Sequence, residues 1–376
     1  MTDSGQVLHI VEPARLGDAA LKALALLLAQ THPPAHTAVI IGGDADQDRA
    51  RRFGVRTTDR IHTPRDHSTI AAAGLRRLLR ARLEPDLLVA WSFETLAAAA
   101  AAAPDTPLIL HATAPPDPRG NPLRIPRPAP RVRAVIATAG HIRAACGARG
   151  AALQRAESIH LPLPAHPAAT TDRAQARAAL DVPHEALLIT ALGDPPQTVD
   201  AFSLSFVAGL FQTMGRTAAA VIHPRALQLE RALRMRERIG GVWRIAVTEA
   251  PLASILPACD VALWLGPPPA WRDALPTRCF PSLNDLPTTL ASEIPVLAMR
   301  HPDVERLAPV ASPLLRIIDD PHPIEIARIA RAHLNELSAT PDAAQQAARA
   351  VAEQYDPAQW QSRFNEALHL ETAALA

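Results

Sequence analysis

The feature that most constrains this chain is a regular alternation of short apolar runs with longer helical patterns. The runs are continuously apolar, as is typical of parallel strands that are covered on both faces. Parallel strands need a crossover connection, usually a helix, so the alternation predicts doubly wound α/β structure. Strands are predicted at 7–11, 37–41, 87–91, 108–111 and 134–138 in the first half, and at 187–192, 218–222, 244–247, 261–265, 295–299 and 314–318 in the second.

A proline-spaced connector interrupts the alternation at residues 160–167, which read His-Leu-Pro-Leu-Pro-Ala-His-Pro. Neither a helix nor a central strand accepts prolines at that spacing, and 376 residues exceed what one hydrophobic core usually serves. We therefore predict two Rossmann-like domains, 1–164 and 165–350, which face each other across a cleft. The remaining segment, 351–376, is predicted to be a helix that kinks at Tyr355-Asp356-Pro357 and packs back on the N-terminal domain.

Composition makes several classes of function poor candidates. Basic and acidic residues number 38 and 37, which leaves no charge surplus for binding nucleic acid. The three cysteines are too widely spaced for a zinc site or a disulfide framework, and the apolar stretches are too short or too interrupted to span a membrane. The glycine motifs of dinucleotide enzymes, P-loop enzymes and α/β-hydrolases are missing from the sequence. We expect a cytoplasmic protein that uses no cofactor.

Two charged motifs each admit a structural and a functional interpretation. Residues 44–48 contain Asp-x-Asp twice, a spacing by which some transferases hold a divalent cation. The arginines that follow at 49–52 favour instead a helix with an acidic first turn, so no metal site is predicted. An arginine cluster at 76–82 is either a solvated helix face or a contact for anionic lipid or an acidic polymer.

Six segments carry a family resemblance through their order along the chain. They are 7–17, 86–92, 107–111, 134–139, 255–263 and 294–298, and the first ends in a glycine loop. In this order they resemble the two-domain glycosyltransferases of the GT-B fold, in particular the retaining group called family 4. The resemblance implies metal-independent transfer of a sugar, with retention, from a nucleotide-sugar donor to an unknown glycan or lipid-linked acceptor. It also allows peripheral contact with a membrane.

The residues with which that family binds its donor are missing at the matching positions. The loop at 193–200 has two acids and no base, where the family has a basic pair. Phe280 and Thr288 stand where the family has two glutamates. These losses keep a second interpretation open, in which the chain is a catalytically inactive GT-B scaffold that binds a glycan, a nucleotide or a protein.

The resemblance and the local sequence together nominate donor-binding residues. Arg15 and Gly17 belong to the first glycine loop, Gly193 allows close approach of the backbone, and Arg225 is a replacement cation. A charge-assisted hydrogen bond to a diphosphate contributes about 1.5–3 kcal/mol, so each missing base matters.

Two further sets of candidates each have a structural alternative. Thr288 and Thr289 follow Asp285 and a proline at the start of a predicted helix, where hydroxyls and free N–H groups suit a phosphate. The same residues are equally typical of a plain helix cap. His111 ends a predicted strand and is nominated as the catalytic residue, placed to donate to a leaving oxygen or to orient an acceptor. A purely structural histidine fits the same pattern.

Overall fold

The computed structural model describes residues 5–32, 34–57, 59–63, 68–114, 132–147, 151–166, 172–193, 199–265, 283–319 and 322–372. The chain divides into two compact units, one of residues 1–163 with 357–376 and one of residues 164–356. Each unit is built on one parallel β-sheet flanked by helices. The predicted α/β, doubly wound fold class is confirmed.

The first unit carries a sheet in the spatial order β3-β2-β1-β4-β5-β6-β7, with every described pair parallel. Its strands are β1 (Gln6–Val11), β2 (Ala35–Ile41), β3 (Asp59–Ile61), β4 (Leu87–Ala90), β5 (Leu108–Ala112), β6 (Val132–Ala137) and β7 (Glu157–His160). Its first helices are α1 (Asp18–Leu28), α2 (Asp44–Arg52), α3 (Ser68–Arg82), α4 (Phe93–Ala102), α5 (Gly140–Gly147) and α6 (Ala151–Arg155). The strand order reverses between β1 and β4, which is where ligands bind in open parallel sheets.

Both faces of the first sheet are buried, because successive side chains of a strand point to opposite faces. Leu8 and Ile10 of β1 belong to the core beneath α3 and α4. Val7 and Val11 of the same strand belong to the core on the other face, with the buried residues of α1. This two-sided burial explains why the strands read as continuous apolar runs.

The second unit carries a sheet in the order β10-β9-β8-β11-β12-β13, also parallel. Its strands are β8 (Leu187–Ala191), β9 (Ala218–Ile222), β10 (Arg244–Val247), β11 (Val261–Trp264), β12 (Val296–Met299) and β13 (Leu315–Ile318). Its helices are α7 (Arg173–Ala179), α8 (Ala201–Thr213), α9 (Leu229–Arg238), α10 (Leu252–Ile255), α11 (Leu286–Ala291), α12 (Pro302–Ala311), α13 (Pro323–Ala339) and α14 (Pro341–Gln354). Here the order reverses between β8 and β11.

A buried arginine fixes the amino ends of those two strands. Arg177 of α7 is almost fully buried and donates to the carbonyl oxygens of Ala258 at 3.1 Å and Ala186 at 2.8 Å. It also pairs with Asp260 Oδ2 at 2.7 Å, and the same oxygen accepts from the backbone N–H of Leu188 at 2.7 Å. The guanidinium thereby ties α7 to the starts of β8 and β11. The opposite ends of these strands form the edge at which a ligand is expected.

The C-terminal helical stretch breaks at the predicted place. Helix α14 ends at Gln354, and α15 spans Pro357–Thr372. Proline at the first position of α15 cannot continue the preceding helix. Trp360 and Phe364 are buried in the same core cluster as α1, and the side chain of Gln361 donates to the carbonyl oxygen of Leu26 at 2.8 Å. Helix α15 is therefore part of the first unit, whereas α14 belongs to the second.

A series of hydrogen bonds between polar side chains also holds α15 on the first unit. Trp91 Nε1 donates to His9 Nδ1 at 3.0 Å, His9 Nε2 lies 2.8 Å from His36 Nδ1, and His36 Nε2 lies 3.2 Å from Asn365 Oδ1. Asn365 in turn donates to Gln30 Oε1 at 3.1 Å. Because an indole nitrogen only donates, the direction of every bond in this series is fixed, and both histidines are neutral. Protonation of either ring would break a bond.

Candidate functional site

The carboxyl edge of the second sheet contains Gly193, two residues beyond the end of β8. The next residues, 194–198, lie outside the described part of the chain. The second acid of that loop, Asp200, is buried and caps α8 by accepting from the backbone N–H of Phe202 at 3.1 Å and from the hydroxyl of Ser203 at 2.5 Å. Burial raises the pKa of Asp200, and these hydrogen bonds oppose the rise. The carboxylate of Asp200 therefore stabilises the start of α8.

Arg225 lies at the same edge, in the turn that follows β9. Strands β8 and β9 are neighbours, with Thr190 opposite Val221, so the residues that follow them emerge side by side. The Arg225 side chain is exposed, and its backbone N–H donates to His223 Nδ1 at 3.1 Å. Its guanidinium forms no ion pair with any residue that the structure describes. The structure thus places two of the predicted donor residues, Gly193 and Arg225, after neighbouring strands at the same edge of the second sheet, and their role in donor binding stays a prediction.

Thr288 and Thr289 lie in α11, and both side chains are buried. The hydroxyl of Thr289 donates to the carbonyl oxygen of Asp285 at 2.8 Å. The hydroxyl of Thr288 accepts from the backbone N–H of His166 at 3.0 Å, which attaches the connector segment to α11. Both hydroxyls are thus used inside the unit, which supports the structural interpretation of this pair. Phe280 lies outside the described residues, and phosphate binding at the threonines stays a prediction.

In the first unit, Arg15 and Gly17 both follow β1. Gly17 precedes α1 and is buried, with φ of −83°. Arg15 lies between two carboxylates, with its Nε 3.1 Å from Glu12 Oε2 and its Nη1 3.4 Å from Glu94 Oε1. Arg15 is therefore already neutralised by protein groups, which weakens its candidacy as a ligand for a diphosphate.

Sequence reasoning did not single out Glu12, although it is the first residue after the central strand β1. Burial raises the pKa of Glu12, and the neighbouring Arg15 lowers it. Glu12, Arg15 and Glu94 form an acidic cluster with one embedded cation at the carboxyl edge where β1 and β4 meet. The signal that points to Glu12 is its position at the reversal of strand order rather than any motif.

His111 lies inside β5 rather than beyond it, and its side chain is 0% exposed. Its ring centroid lies 4.3 Å from that of Trp91 and 5.4 Å from that of Phe364 of α15, both edge to face. Neither ring nitrogen has a hydrogen-bond partner among the described residues. Burial lowers the pKa of His111 to about 3. This aromatic enclosure favours the structural interpretation of His111, and its catalytic role stays a prediction.

The acidic segment 44–48 forms the start of α2, as its structural interpretation predicts. Asp46 accepts from the backbone N–H of Gly43 at 2.9 Å, Asp44 pairs with Arg60 at 2.5 Å, and Asp48 lies 3.6 Å from Arg51. The three carboxylates thus have separate partners. Within the described ranges, no group of three or more His, Cys, Asp or Glu side chains is arranged to hold a metal ion. None of the helices described there is long and apolar enough to cross a membrane.

Comparison with known proteins identifies the fold. No protein-family model matches the sequence, and no curated protein sequence matches it significantly. Among solved structures, a glycosyltransferase from Rickettsia africae ESF-5 matches 98% of this chain and 98% of its own at 12% identity, with a TM-score of 0.68. Anabaena Alr3699/HepE in complex with UDP-glucose matches 97% of this chain and 99% of its own at 14% identity, with a TM-score of 0.69. The predicted GT-B fold is confirmed.

The same fold also occurs in a second class of protein. UDP-GlcNAc 2-epimerase from Neisseria meningitidis, bound to UDP-GlcNAc, matches 96% of this chain and 99% of its own at 14% identity, with a TM-score of 0.57. At such identities a structural match shows the fold alone, because one fold hosts several chemistries.

Proposed function

We propose that this chain binds a nucleotide sugar and transfers the sugar to an acceptor, with retention and without a metal ion. The observation that carries the proposal is the match over nearly the whole of both chains to Alr3699/HepE, whose structure holds UDP-glucose. The glycosyltransferase from Rickettsia africae matches 98% of this chain. The family 4 resemblance of the sequence supports retention, and the separate partners of the 44–48 carboxylates support independence from metal.

The nucleotide diphosphate is proposed to lie at the carboxyl edge of the second sheet, beside Gly193 and Arg225. A sugar nucleotide carries about two negative charges on its diphosphate, and an exposed arginine with no ion pair among the described residues is suited to neutralise one of them. Gly193 has no side chain to obstruct a phosphate that approaches the end of β8. Arg225 therefore takes the place of the basic pair that the 193–200 loop lacks.

The acceptor is proposed to lie at the carboxyl edge of the first sheet, beside Gly17. Glu12 and Glu94 offer carboxylate oxygens to sugar hydroxyl groups, and Arg15 holds both carboxylates in place. A paired guanidinium offsets part of the free-energy cost of removing these carboxylates from water, and their remaining lone pairs can still accept hydrogen bonds from the sugar. In this proposal Arg15 belongs to the acceptor side rather than to the diphosphate.

The test is a thermal-shift panel with UDP, GDP, ADP and their sugar conjugates. A ligand at about 100 times its Kd adds about 2.7 kcal/mol to the free energy of unfolding. We expect nucleotides with one particular base to raise Tm. Arg225→Ala should weaken the binding of those nucleotides by about tenfold to a hundredfold. Arg349→Ala removes an exposed arginine from α14 of the same unit and serves as the matched control. If a folded protein shows no shift with any nucleotide, the proposal is wrong.

A second candidate function is a GT-B scaffold that binds without catalysis. The burial and internal bonding of both Thr288 and Thr289 favour it, because those hydroxyls were the other predicted contacts for phosphate. A labelled nucleotide sugar separates the two functions. Release of free nucleotide in the presence of acceptor glycans identifies a transferase, and saturable binding with no turnover across a broad acceptor panel identifies a scaffold.

A further inference from the structure

Exposed apolar side chains concentrate in one short stretch of the second unit. Six large apolar side chains are exposed among the described residues: Ile70, Leu233, Ile239, Val242, Val247 and Ile324. The two most exposed are Ile239 at 62% and Val242 at 77%, and both lie in the turn between α9 and β10. We call residues 239–244 the α9–β10 tip. Single exposed apolar residues are ordinary, but two highly exposed ones three positions apart in one tight turn are not.

The α9–β10 tip is rigidly held from below. The backbone N–H groups of Gly240 and Gly241 close the end of α9 on the carbonyl oxygens of Glu237 and Arg236, at 3.1 and 2.9 Å. Gly240 has φ of +58°, a conformation that favours glycine.

The buried ring of Trp243 fixes the other side of the turn. It packs on α8, 3.1 Å from the point where a side chain on Gly209 would begin, and its indole N–H donates to Ser205 Oγ at 3.1 Å. With Trp243 anchored inward, Ile239 and Val242 are held outward. Their exposure is built into the turn.

Arginines flank the two apolar side chains along the chain. Residues 231–244 contain five arginines and one glutamate. Arg236 and Arg238, in the last turn of α9, form no ion pair with any residue in the described ranges. Arg244 begins β10 and pairs with Asp181, and the exposed Arg216 precedes the neighbouring strand β9. The surface is therefore apolar at its centre and positive at its margin.

The α9–β10 tip lies at the amino edge of the second sheet. Arg244 is the first residue of β10, which runs parallel to β9, whereas Arg225 follows the last residue of β9. The tip and the proposed donor site are thus at opposite edges of one sheet. A partner bound at the tip leaves the carboxyl edge open.

We propose that the α9–β10 tip docks this protein on an anionic phospholipid surface. Ile239 and Val242 enter the boundary between headgroups and acyl chains, while the flanking arginines contact lipid phosphates. A second copy of the chain fits less well, because a two-fold contact would bring the same arginines against one another. Two apolar side chains are also far fewer than a protein interface of about 800 Å² per partner requires. The inference does not depend on nucleotide binding.

The test is co-flotation of the full chain with vesicles of phosphatidylcholine alone or with 30% phosphatidylglycerol. We expect binding to the anionic vesicles, which weakens in 0.5 M salt. Arg236→Gln with Arg238→Gln should lower the partition coefficient about 25-fold, at about fivefold per arginine. Ile239→Ser with Val242→Ser should lower it at least about tenfold, because the apolar contact is lost.

Matched controls keep the inference falsifiable. Ile324→Ser removes an exposed isoleucine, 50% exposed, from α13 of the same unit and should leave partition unchanged. Wild-type protein that ignores anionic vesicles, or tip variants that bind like wild type, would refute the inference. So would a tip variant that alters only the oligomeric state in size-exclusion chromatography, since that result assigns the tip to a second copy. Loss of lipid binding on substitution of Arg76 and Arg77 alone would place the lipid contact in the first unit and overturn the assignment to the tip.

Discussion

Acidification should destabilise the first unit through its buried histidines, and the effect is measurable one residue at a time. His9, His36 and His111 are neutral in the folded chain. Burial lowers the pKa of His36 to about 4 and that of His111 to about 3. Burial first, and then the nearby His36 and His111, lower the pKa of His9 well below its ordinary value. In the unfolded chain each titrates near 6.5, so between these values the unfolded state binds more protons.

The sign and size of the effect follow from linkage. The stability contributed by the neutral rings is fully present above pH 6.5 and is lost as the pH falls towards the folded pKa. Each group contributes a slope that rises to about 1.4 kcal/mol per pH unit below pH 6.5, so His36 and His111 together cost about 3 kcal/mol between pH 6.5 and pH 5. His9 adds to the loss with the same sign. Glu12 and Asp200 act oppositely, because burial raises the pKa of each carboxyl group.

His111→Phe isolates one contribution, because the wild type and the variant share every other group. Phenylalanine fits a site walled by Trp91 and Phe364 and removes two ring nitrogens that have no partner among the described residues. Measured by calorimetry, the variant should gain about 2 kcal/mol on the wild type when the pH falls from 7.5 to 5, or about 4–8 °C in Tm for a unit of this size. The exposed His32, changed to Gln, is the control and should parallel wild type.

Parallel pH dependence of His111→Phe and wild type would refute the reasoning. It would mean that the His111 ring is solvated or paired in a way that keeps its pKa ordinary. The same variant tests the predicted catalytic role of His111, because a packing residue can be replaced by phenylalanine without loss of turnover. A folded variant that binds nucleotide sugar normally but fails to transfer the sugar would restore the catalytic assignment.

Two further predictions concern the second unit. Arg177→Met should lower the free energy of unfolding by about 3–5 kcal/mol, because it leaves Asp260 with Arg173 as its one ion-pair partner among the described residues and leaves several buried carbonyl oxygens without a donor. Chemical unfolding measures the loss, and a loss below about 1 kcal/mol would contradict the prediction. Gly241→Ala should lower the free energy of unfolding by about 1–3 kcal/mol, because the new Cβ would overlap the ring of Trp243, which packs too tightly on α8 to move. A lower Tm is the expected readout, and an unchanged Tm would show that the ring shifts freely.

The core strands could be predicted from sequence because both faces of each sheet are buried. Strands β3 (Asp59–Ile61) and β7 (Glu157–His160) escaped prediction for the converse reason. Each lies at an edge of the first sheet, and each carries charged residues that interrupt any apolar run. An edge strand has a neighbouring strand on one side only and tolerates charged residues. In β3 and β7 these residues interrupt the apolar run by which a central strand is predicted.

The candidate site was less predictable because sequence shows residue types but not their partners. Arg15 reads as a free cation until α4 brings Glu94 to its other side. Thr288 reads as an exposed hydroxyl until the connector places the backbone N–H of His166 on it. His111 reads as a strand-end histidine until α15, from the far end of the chain, covers it with Phe364. Each difference arises from a contact between segments that are distant in sequence.

The hydrogen-bond partners of Asp200 also change the electrostatics expected for donor binding. The 193–200 loop reads as two acids and no base, which opposes a diphosphate. One of those acids, Asp200, is buried and committed to the start of α8, so its charge is largely compensated by helix N–H groups. Glu249, exposed after β10, lies one strand farther from β8 than Arg225 does. Among the described residues of this edge, the free cation is thus nearer to Gly193 than any uncommitted acid. Arg225 therefore supplies a charge of favourable sign to the diphosphate that is proposed to bind there.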